Sequence, residues 1–242
     1  FEPQKLASNE NPVPQAMGLW QKAKDFVVPN DVKHNCAAEY TKFRAWSLAS
    51  SFLSCGMGYL MTAVYFDSLG AAFGGDGQKA AFAGVVTGTI QKAAQMGSYK
   101  LAKFGDADPK KAYLASSMIS HLNSTVGLGL LAAAPGAHMP FYCANAVTST
   151  VSSMLGSASS INVTNHLVPG AHKGEVGAKN ANQDMIVSCF GMPIGLTLNY
   201  LCKSAGLNPA IVAACTLGPV AAFCSLQAVR ALRMQPVDAK EL

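Results

Sequence analysis

The side chains able to do chemistry fall into two groups. The denser one is the run Lys173-Gly174-Glu175-Val176-Gly177-Ala178-Lys179-Asn180-Ala181-Asn182-Gln183-Asp184. Within it Glu175, Lys179, Asn182, Gln183 and Asp184 are the candidate site residues. At helical spacing Lys179 pairs with Asp184 or Glu175. Free of such a pair, the lysine and its neighbouring amides would suit an anionic small molecule or a lipid headgroup. The run is expected as a polar turn between two apolar helices, capping the second. The other group is His121, His138 and His166, spread through a stretch without charge. A neutral imidazole on an apolar helix can serve as an axial ligand for haem or chlorophyll. The same residue more commonly hydrogen-bonds a carbonyl or a loop.

Several chemistries are excluded by what surrounds these groups. No carboxylate lies between Ala112 and His172, so the three histidines have no local acid partner for acid–base work. Serine, histidine and aspartate are all present, but no serine sits in a nucleophile-elbow context. The glycines of Gly70–Gly77 lack the following Lys-Ser/Thr of a phosphate loop. The seven cysteines (36, 55, 143, 189, 202, 215, 224) are spread singly, with no C-x-x-C and no zinc spacing. They are expected as reduced thiols, five of them in apolar runs. The chain is expected not to be an enzyme and to hold no metal. Its net charge of +5 sits mostly on lysines near segment ends, such as Lys92, Lys103, Lys110 and Lys111. That pattern suits an anionic membrane surface or an acidic partner. No basic stripe interleaved with aromatics is present, so nucleic acid is not an expected partner.

The elements that must position these groups are helices. From Ala112 to His172 there are 61 residues (172 − 112 + 1) with no Asp, Glu, Lys or Arg. Charged residues make up 13% of the chain, where an ordinary soluble domain has about a quarter. Residues 1–30 hold Pro3, Pro12, Pro14 and Pro29 and read as an extended arm. A first helix starts after Pro29, capped by Asn30 or Asp31, and is uncharged over Ala45–Phe66. A second covers about Gln78–Phe104. A third starts at Asp108-Pro109 and stops at Pro135-Gly136. A fourth runs from near Pro140 to about His166. A fifth covers about Asn182–Lys203, kinked at Pro193, and a sixth starts at Asn208-Pro209, bends at Pro219 and ends near Met234. At 1.5 Å per residue the third and fourth are roughly 35–40 Å long, enough to cross a bilayer. Gly84-x-x-x-Gly88 and Gly191-x-x-x-Gly195 have the spacing at which helix backbones approach closely. The fold class is all-α: a bundle of about six long, largely apolar helices, membrane-embedded or membrane-associated. The helical domain is expected over 31–234, with a polar tail over 235–242. The Asn-x-Ser/Thr triplets at Asn123 and Asn162 fall inside the uncharged stretch and read as accidental.

At the polar run the chain resembles the root UVB-sensitive (RUS, DUF647) family. Glu175-Val176-Gly177-Ala178-Lys179, then Gln183-Asp184, is similar to that family's D-V-x-A-K-x-x-S-Q-E-T signature. Gly156-Ser157-Ala158-Ser159, then Thr164-Asn165-His166, resembles its glycine-rich segment and following T-Q-H. Lys110-Lys111 before a helix, Pro135-Gly136, and Pro29-Asn30-Asp31 beside its S-P-D-Y fall in the same order, so the likeness covers roughly residues 28–200. Departures are as informative. Glu175 stands for Asp, Asn182 for Ser, Asp184 for Glu and Met185 for Thr. Lys92-Ala93-Ala94 stands for Lys-Asp-Gly, Ile161 for an Arg, and no acid appears near Ser120–Asn123. Polar positions turned apolar read as an original site given up, since a buried polar site costs stability to keep.

The resemblance implies a helical, membrane- or organelle-associated protein linked to vitamin B6 homeostasis and to plastid or mitochondrial biology. It transfers no catalytic residue. The first expectation is a non-enzymatic structural or scaffold subunit of an organellar membrane complex, photosynthetic or respiratory. Its partners would be other protein subunits and membrane lipids, and the thylakoid is favoured over the mitochondrion. The alternative is a stand-alone protein handling a small molecule of the vitamin B6 and pyridoxal-phosphate class, or binding a lipid or a pigment such as chlorophyll. A first residue of Phe fits a removed targeting sequence.

Overall fold

The computed structural model describes residues 24, 27–29, 32, 36–73, 77–97, 100–133, 138–170 and 172–234. Most of the expected N-terminal arm and all of the polar tail lie outside the described residues. Seven α-helices follow one another, with no strand among the described residues. They are α1 (Tyr40–Phe73), α2 (Gly77–Gly97), α3 (Lys100–Ala107), α4 (Pro109–Ala133), α5 (His138–Leu167), α6 (Lys173–Ser204) and α7 (Pro209–Ala231).

Local chemistry sets several boundaries. Asp108 accepts from the Lys111 backbone N–H at 3.0 Å, with Pro109 at the first helical position of α4. Asn208 caps α7 in the same way, accepting from the N–H groups of Ala210 and Ile211, ahead of Pro209. Pro193 and Pro219 both lie inside their helices. Two expectations are corrected. The first long helix begins at Tyr40, not after Pro29. The chain breaks ahead of it because the Ala37 N–H leaves the helical pattern to reach the Leu167 carbonyl at the end of α5, 2.7 Å away. The single helix expected over Gln78–Phe104 is two, α2 ending at Gly97.

The chain directions follow from which residues meet. Along α1 the partners on α4 rise in step, with Ser47 against Tyr113 and Ser50 against His121. Those on α6 also rise, from Tyr40 against Asn180 to Gly56 against Gly191. Those on α7 fall, with Ser50 against Ser225 and Met57 and Leu60 packed with Ala210 and Ala213. So α1, α4 and α6 run one way and α5 and α7 return. This gathers charge at one end. There α1 brings Lys42 and Arg44, α4 brings Lys110 and Lys111, α6 brings Lys173 and Lys179, and α7 brings Arg230. The Lys110 ammonium donates to the Leu232 carbonyl at 2.6 Å, a cation closing the carbonyl end of α7. Beyond Lys111 α4 carries no charged residue, α5 carries none, and α7 has none before Arg230.

Among the described residues three helices are long and apolar enough to cross a membrane: Tyr40–Val64 of α1, α6, and α7, whose mean hydropathy reaches 1.8. The two helices expected from the uncharged stretch, α4 and α5, are not among them. Beyond Lys111 they are free of charge but not hydrocarbon-like, because serine, threonine and asparagine recur along both. Part of the hydroxyl surface of α5 faces inward, where Thr150, Ser152 and Ser159 are buried, while Ser120 of α4 and Ser153, Ser157 and Ser160 of α5 are exposed. Outward, α6 exposes Met185, Phe190, Tyr200 and Leu201, and α7 exposes Ile211, Val220 and Phe223. Apolar faces this extensive on the outside of two helices are unlike the surface of a soluble bundle.

Candidate functional site

The run Lys173–Asp184 is not a turn. It is the first three turns of α6, which begins at Lys173 with Glu175 in its first turn, where an acid complements the N–H end. Helical continuity puts Glu175 and Lys179 one turn apart, and they pair at 3.1 Å. Of the two acids expected for Lys179, Glu175 is therefore the partner. The Lys179 ammonium also donates to the Val28 carbonyl at 2.9 Å, and the Gln183 amide donates to the Val27 carbonyl at 2.8 Å. The end of the N-terminal arm is thus held against α6 by two members of the run.

Asp184 has a different partner, Arg44 of α1. Arg44 Nη2 donates to Asp184 Oδ1 at 2.9 Å and to the Asn180 carbonyl at 2.6 Å, while its Nε donates to Gln183 Oε1 at 2.7 Å. Tyr40, one turn earlier on α1, donates its hydroxyl to the Asn180 side chain at 2.7 Å. Arg44 is largely buried while Asp184 is half exposed. The guanidinium fork reaches three acceptors that a lysine could not span at once. Asn182 lies half-buried on the same part of α6.

Behind Arg44 is a cavity of about 360 Å³. Its walls include Tyr40, Arg44, Ser47 and Ser51 of α1, Tyr113 of α4, and Asn180 and Asp184 of α6. The Ser47 and Tyr113 hydroxyls share a 3.2 Å hydrogen bond. Among the described residues lining it Arg44 is the only cation, and Asp184 neutralises it. No lysine is among the described residues of its walls to form an imine with a carbonyl ligand.

The three histidines are not brought together. His121 is buried, with its Nε2 2.8 Å from the Ser225 hydroxyl and 3.2 Å from that of Ser50, and its Nδ1 3.5 Å from Ser54. Both ring nitrogens face hydroxyls. His166 lies at the charged end and donates from Nε2 to Glu39 Oε1 at 2.9 Å. That bond holds the Glu39 carboxyl below its ordinary value. His138 is the first residue of α5, and its side chain lies outside the described residues. No group of three or more His, Cys, Asp or Glu able to hold a metal occurs among the described residues.

Arg44, Tyr40, Asn180 and Tyr113 were not singled out by the sequence. One signal was available for Arg44: it is the last charge before the 22 uncharged residues Ala45–Phe66 (66 − 45 + 1), and a lone cation entering an apolar helix needs a partner. Nothing local marked Tyr113 or Ser47, whose roles depend on the packing of α1 against α4.

No curated protein and no solved structure matches this chain. A family's sequence pattern does, over residues 14–241, and its description is the vitamin B6 photo-protection and homoeostasis domain. That match spans nearly the whole chain and agrees with the likeness read from Glu175–Asp184 and Gly156–His166. The chain is a member of the UVB-sensitive protein family, the RUS or DUF647 family.

Proposed function

We propose that this chain is a non-enzymatic membrane protein that holds a small polar molecule of the vitamin B6 class inside its helical bundle. The observation that carries the reading is the cavity behind Arg44. It sets the polar groups of Tyr40, Arg44, Asn180 and Asp184 opposite Phe43, Val163, Leu167 and Val168, is walled by α1, α4, α5 and α6, and stands in a bundle whose outer faces are apolar. A bundle with only a structural role gains more from filling such space with aliphatic side chains. The family's description supplies the ligand class. The absence of a lysine on the described walls argues for holding or passing the molecule rather than for chemistry on its aldehyde. An organellar membrane, the plastid's before the mitochondrion's, is the setting the family resemblance favours. Gentle solubilisation from native membrane, followed by mass spectrometry of small molecules released from the purified protein, tests this. Release of a B6 vitamer in near-stoichiometric amount supports it, and release of none contradicts it.

A second reading makes the chain a structural subunit of an organellar membrane complex, photosynthetic or respiratory. The apolar outer face of α6, carrying Met185, Phe190, Tyr200 and Leu201, favours it, because such a face must be covered by lipid or protein. The same solubilised sample decides this: co-migration with a larger complex supports a subunit, and migration as a free monomer sinks it.

A further inference from the structure

We infer that a hydroxyl-lined slot beneath Arg44 is the solute-binding site, and that it takes the neutral alcohol form of a B6 vitamer rather than its phosphate ester. This rests on the small-molecule reading above and specifies its ligand. The slot is a second cavity, of about 220 Å³, that shares Ser47, Ser51 and Tyr113 with the one behind Arg44. Ten serines, Tyr113 and His121 line it, drawn from α1, α4, α5 and α7. No charged residue is among them.

The floor is a closed hydrogen-bond network. Ser50 Oγ donates to the Ala221 carbonyl at 3.1 Å, lies 2.7 Å from Ser225 Oγ, and shares His121 Nε2 with it. Hydroxyls turn to donate or accept as a ligand demands. Below the floor the packing becomes apolar, with Met57 and Leu60 of α1 against Leu128 of α4 and Ala210 and Ala213 of α7. The slot is therefore closed on that side, while Ser120 and Ser153 on its rim are exposed, so it opens at the surface of the bundle beside α4 and α5. From Arg44 to Ser54 is ten residues of α1, about 15 Å, or half of a hydrocarbon core of about 30 Å. The ligand would sit near mid-membrane, the depth at which a solute needs its water hydrogen bonds replaced.

Charge selects between the forms. A phosphate ester carries roughly two negative charges, and burying them without a cation costs several kcal/mol. Among the described residues the slot has no lining cation, and Arg44, in the wall of the adjoining cavity, is held by Asp184. Pyridoxine carries one phenolic and two alcohol hydroxyls besides its ring nitrogen and has no net charge near neutral pH, so serine hydroxyls can replace the water around it without a counter-ion.

The test uses the full chain in detergent micelles, titrated with pyridoxine, pyridoxine 5′-phosphate and the neutral polyol myo-inositol. Pyridoxine is expected to bind at least tenfold more tightly than the phosphate ester. Ser225→Ala should weaken pyridoxine about tenfold. Ser117→Leu fills the slot without removing a partner of His121, and should abolish binding while thermal unfolding shows the chain still folded. Equal or tighter binding of the phosphate ester overturns the inference and leaves the vitamer reading standing. Binding of myo-inositol alone, lost in Ser117→Leu, upholds the slot as a neutral-solute site and overturns the vitamer reading. No binding of any of the three, or binding indifferent to both substitutions, overturns the slot.

Discussion

Arg44 and Asp184, 140 positions apart, meet at 2.9 Å and lock the start of α1 to the third turn of α6. The same guanidinium holds Gln183 and the Asn180 carbonyl, so one side chain ties down most of the polar run. Arg44→Met removes three hydrogen bonds and should cost about 2 kcal/mol, the range for breaking charge-assisted bonds at a partly buried site. Arg44→Lys keeps the charge but not the fork, and should recover less than half of the loss. Asp184→Asn, half exposed, should cost well under the Arg44 change. Chemical denaturation of the three variants in one detergent checks the order. An equal loss for Arg44→Lys and Arg44→Met is also consistent with the fork mattering most, but no loss for either would show that the contact does not hold the helices.

The second helix seam depends on absent side chains. A Cβ at Gly195 would lie 2.5 Å from the Gly56 carbonyl oxygen, and one at Gly191 would lie 2.6 Å from the Cys55 Cβ. The small-x-x-x-small spacing is used here. At Gly88 it is not, since nothing lies within 4 Å of an added Cβ. Gly195→Ala should therefore push α1 and α6 apart and destabilise by about 1–3 kcal/mol. Gly58→Ala, in open space on the opposite side of α1, should be neutral or slightly stabilising in a helix. Thermal unfolding of the pair separates close packing from general intolerance of α1 and α6 to substitution.

Much of the fold could be read from the chain. The starts of α4 and α7 were legible because Asp108-Pro109 and Asn208-Pro209 are local signals that tertiary packing did not override. The polar run was misread as a turn. Its two glycines and its polarity suggested a loop, whereas the Glu175–Lys179 pair and the docking of Arg44 and the arm stabilise it as helix. The hydroxyl slot was illegible for a different reason. Its serines come from four helices, each looking merely diluted, and only the packing aligns them. The uncharged stretch was seen as a run of apolar spans, but its hydroxyls divide between the interior, as at Thr150, Ser152 and Ser159, and the surface, as at Ser157 and Ser160.

Acidification should loosen the charged end. Glu39 is held below its ordinary value of 4.5 by the His166 hydrogen bond. For Asp108, burial alone would raise the carboxyl, but its bonds to Lys111 hold it below its ordinary value of 3.8. A lowered carboxylate contributes stability that is present above its ordinary value and is lost as pH falls through the lowered one. The melting temperature should therefore begin to fall near pH 4.5 and continue downward. Glu39→Gln should be less stable than the parent at pH 7 and should converge on it in acid. A constant difference across that range would exclude the Glu39–His166 contact as its source.

The clustering of cations at one end predicts an orientation. Cytoplasm-like compartments retain the Lys- and Arg-rich side of membrane proteins. Lys111→Cys should react with an impermeant thiol reagent only from the side on which the protein is made. A cysteine at Gly206, in the turn between α6 and α7, should react only from the other. Labelling of both from one side would show that α6 does not cross.

The most direct measurement of the account is ligand protection inside the bundle. Ser51 lies on the wall common to both cavities. In a chain reconstituted in lipid, with the exposed Cys189 and Cys215 replaced by serine, Ser51→Cys should be modified by a small charged thiol reagent added on the cation-rich side. Saturating pyridoxine should slow that reaction at least tenfold. Failure of the reagent to reach residue 51, or a rate unchanged by pyridoxine and by every other B6 vitamer, would contradict a vitamer held between these helices.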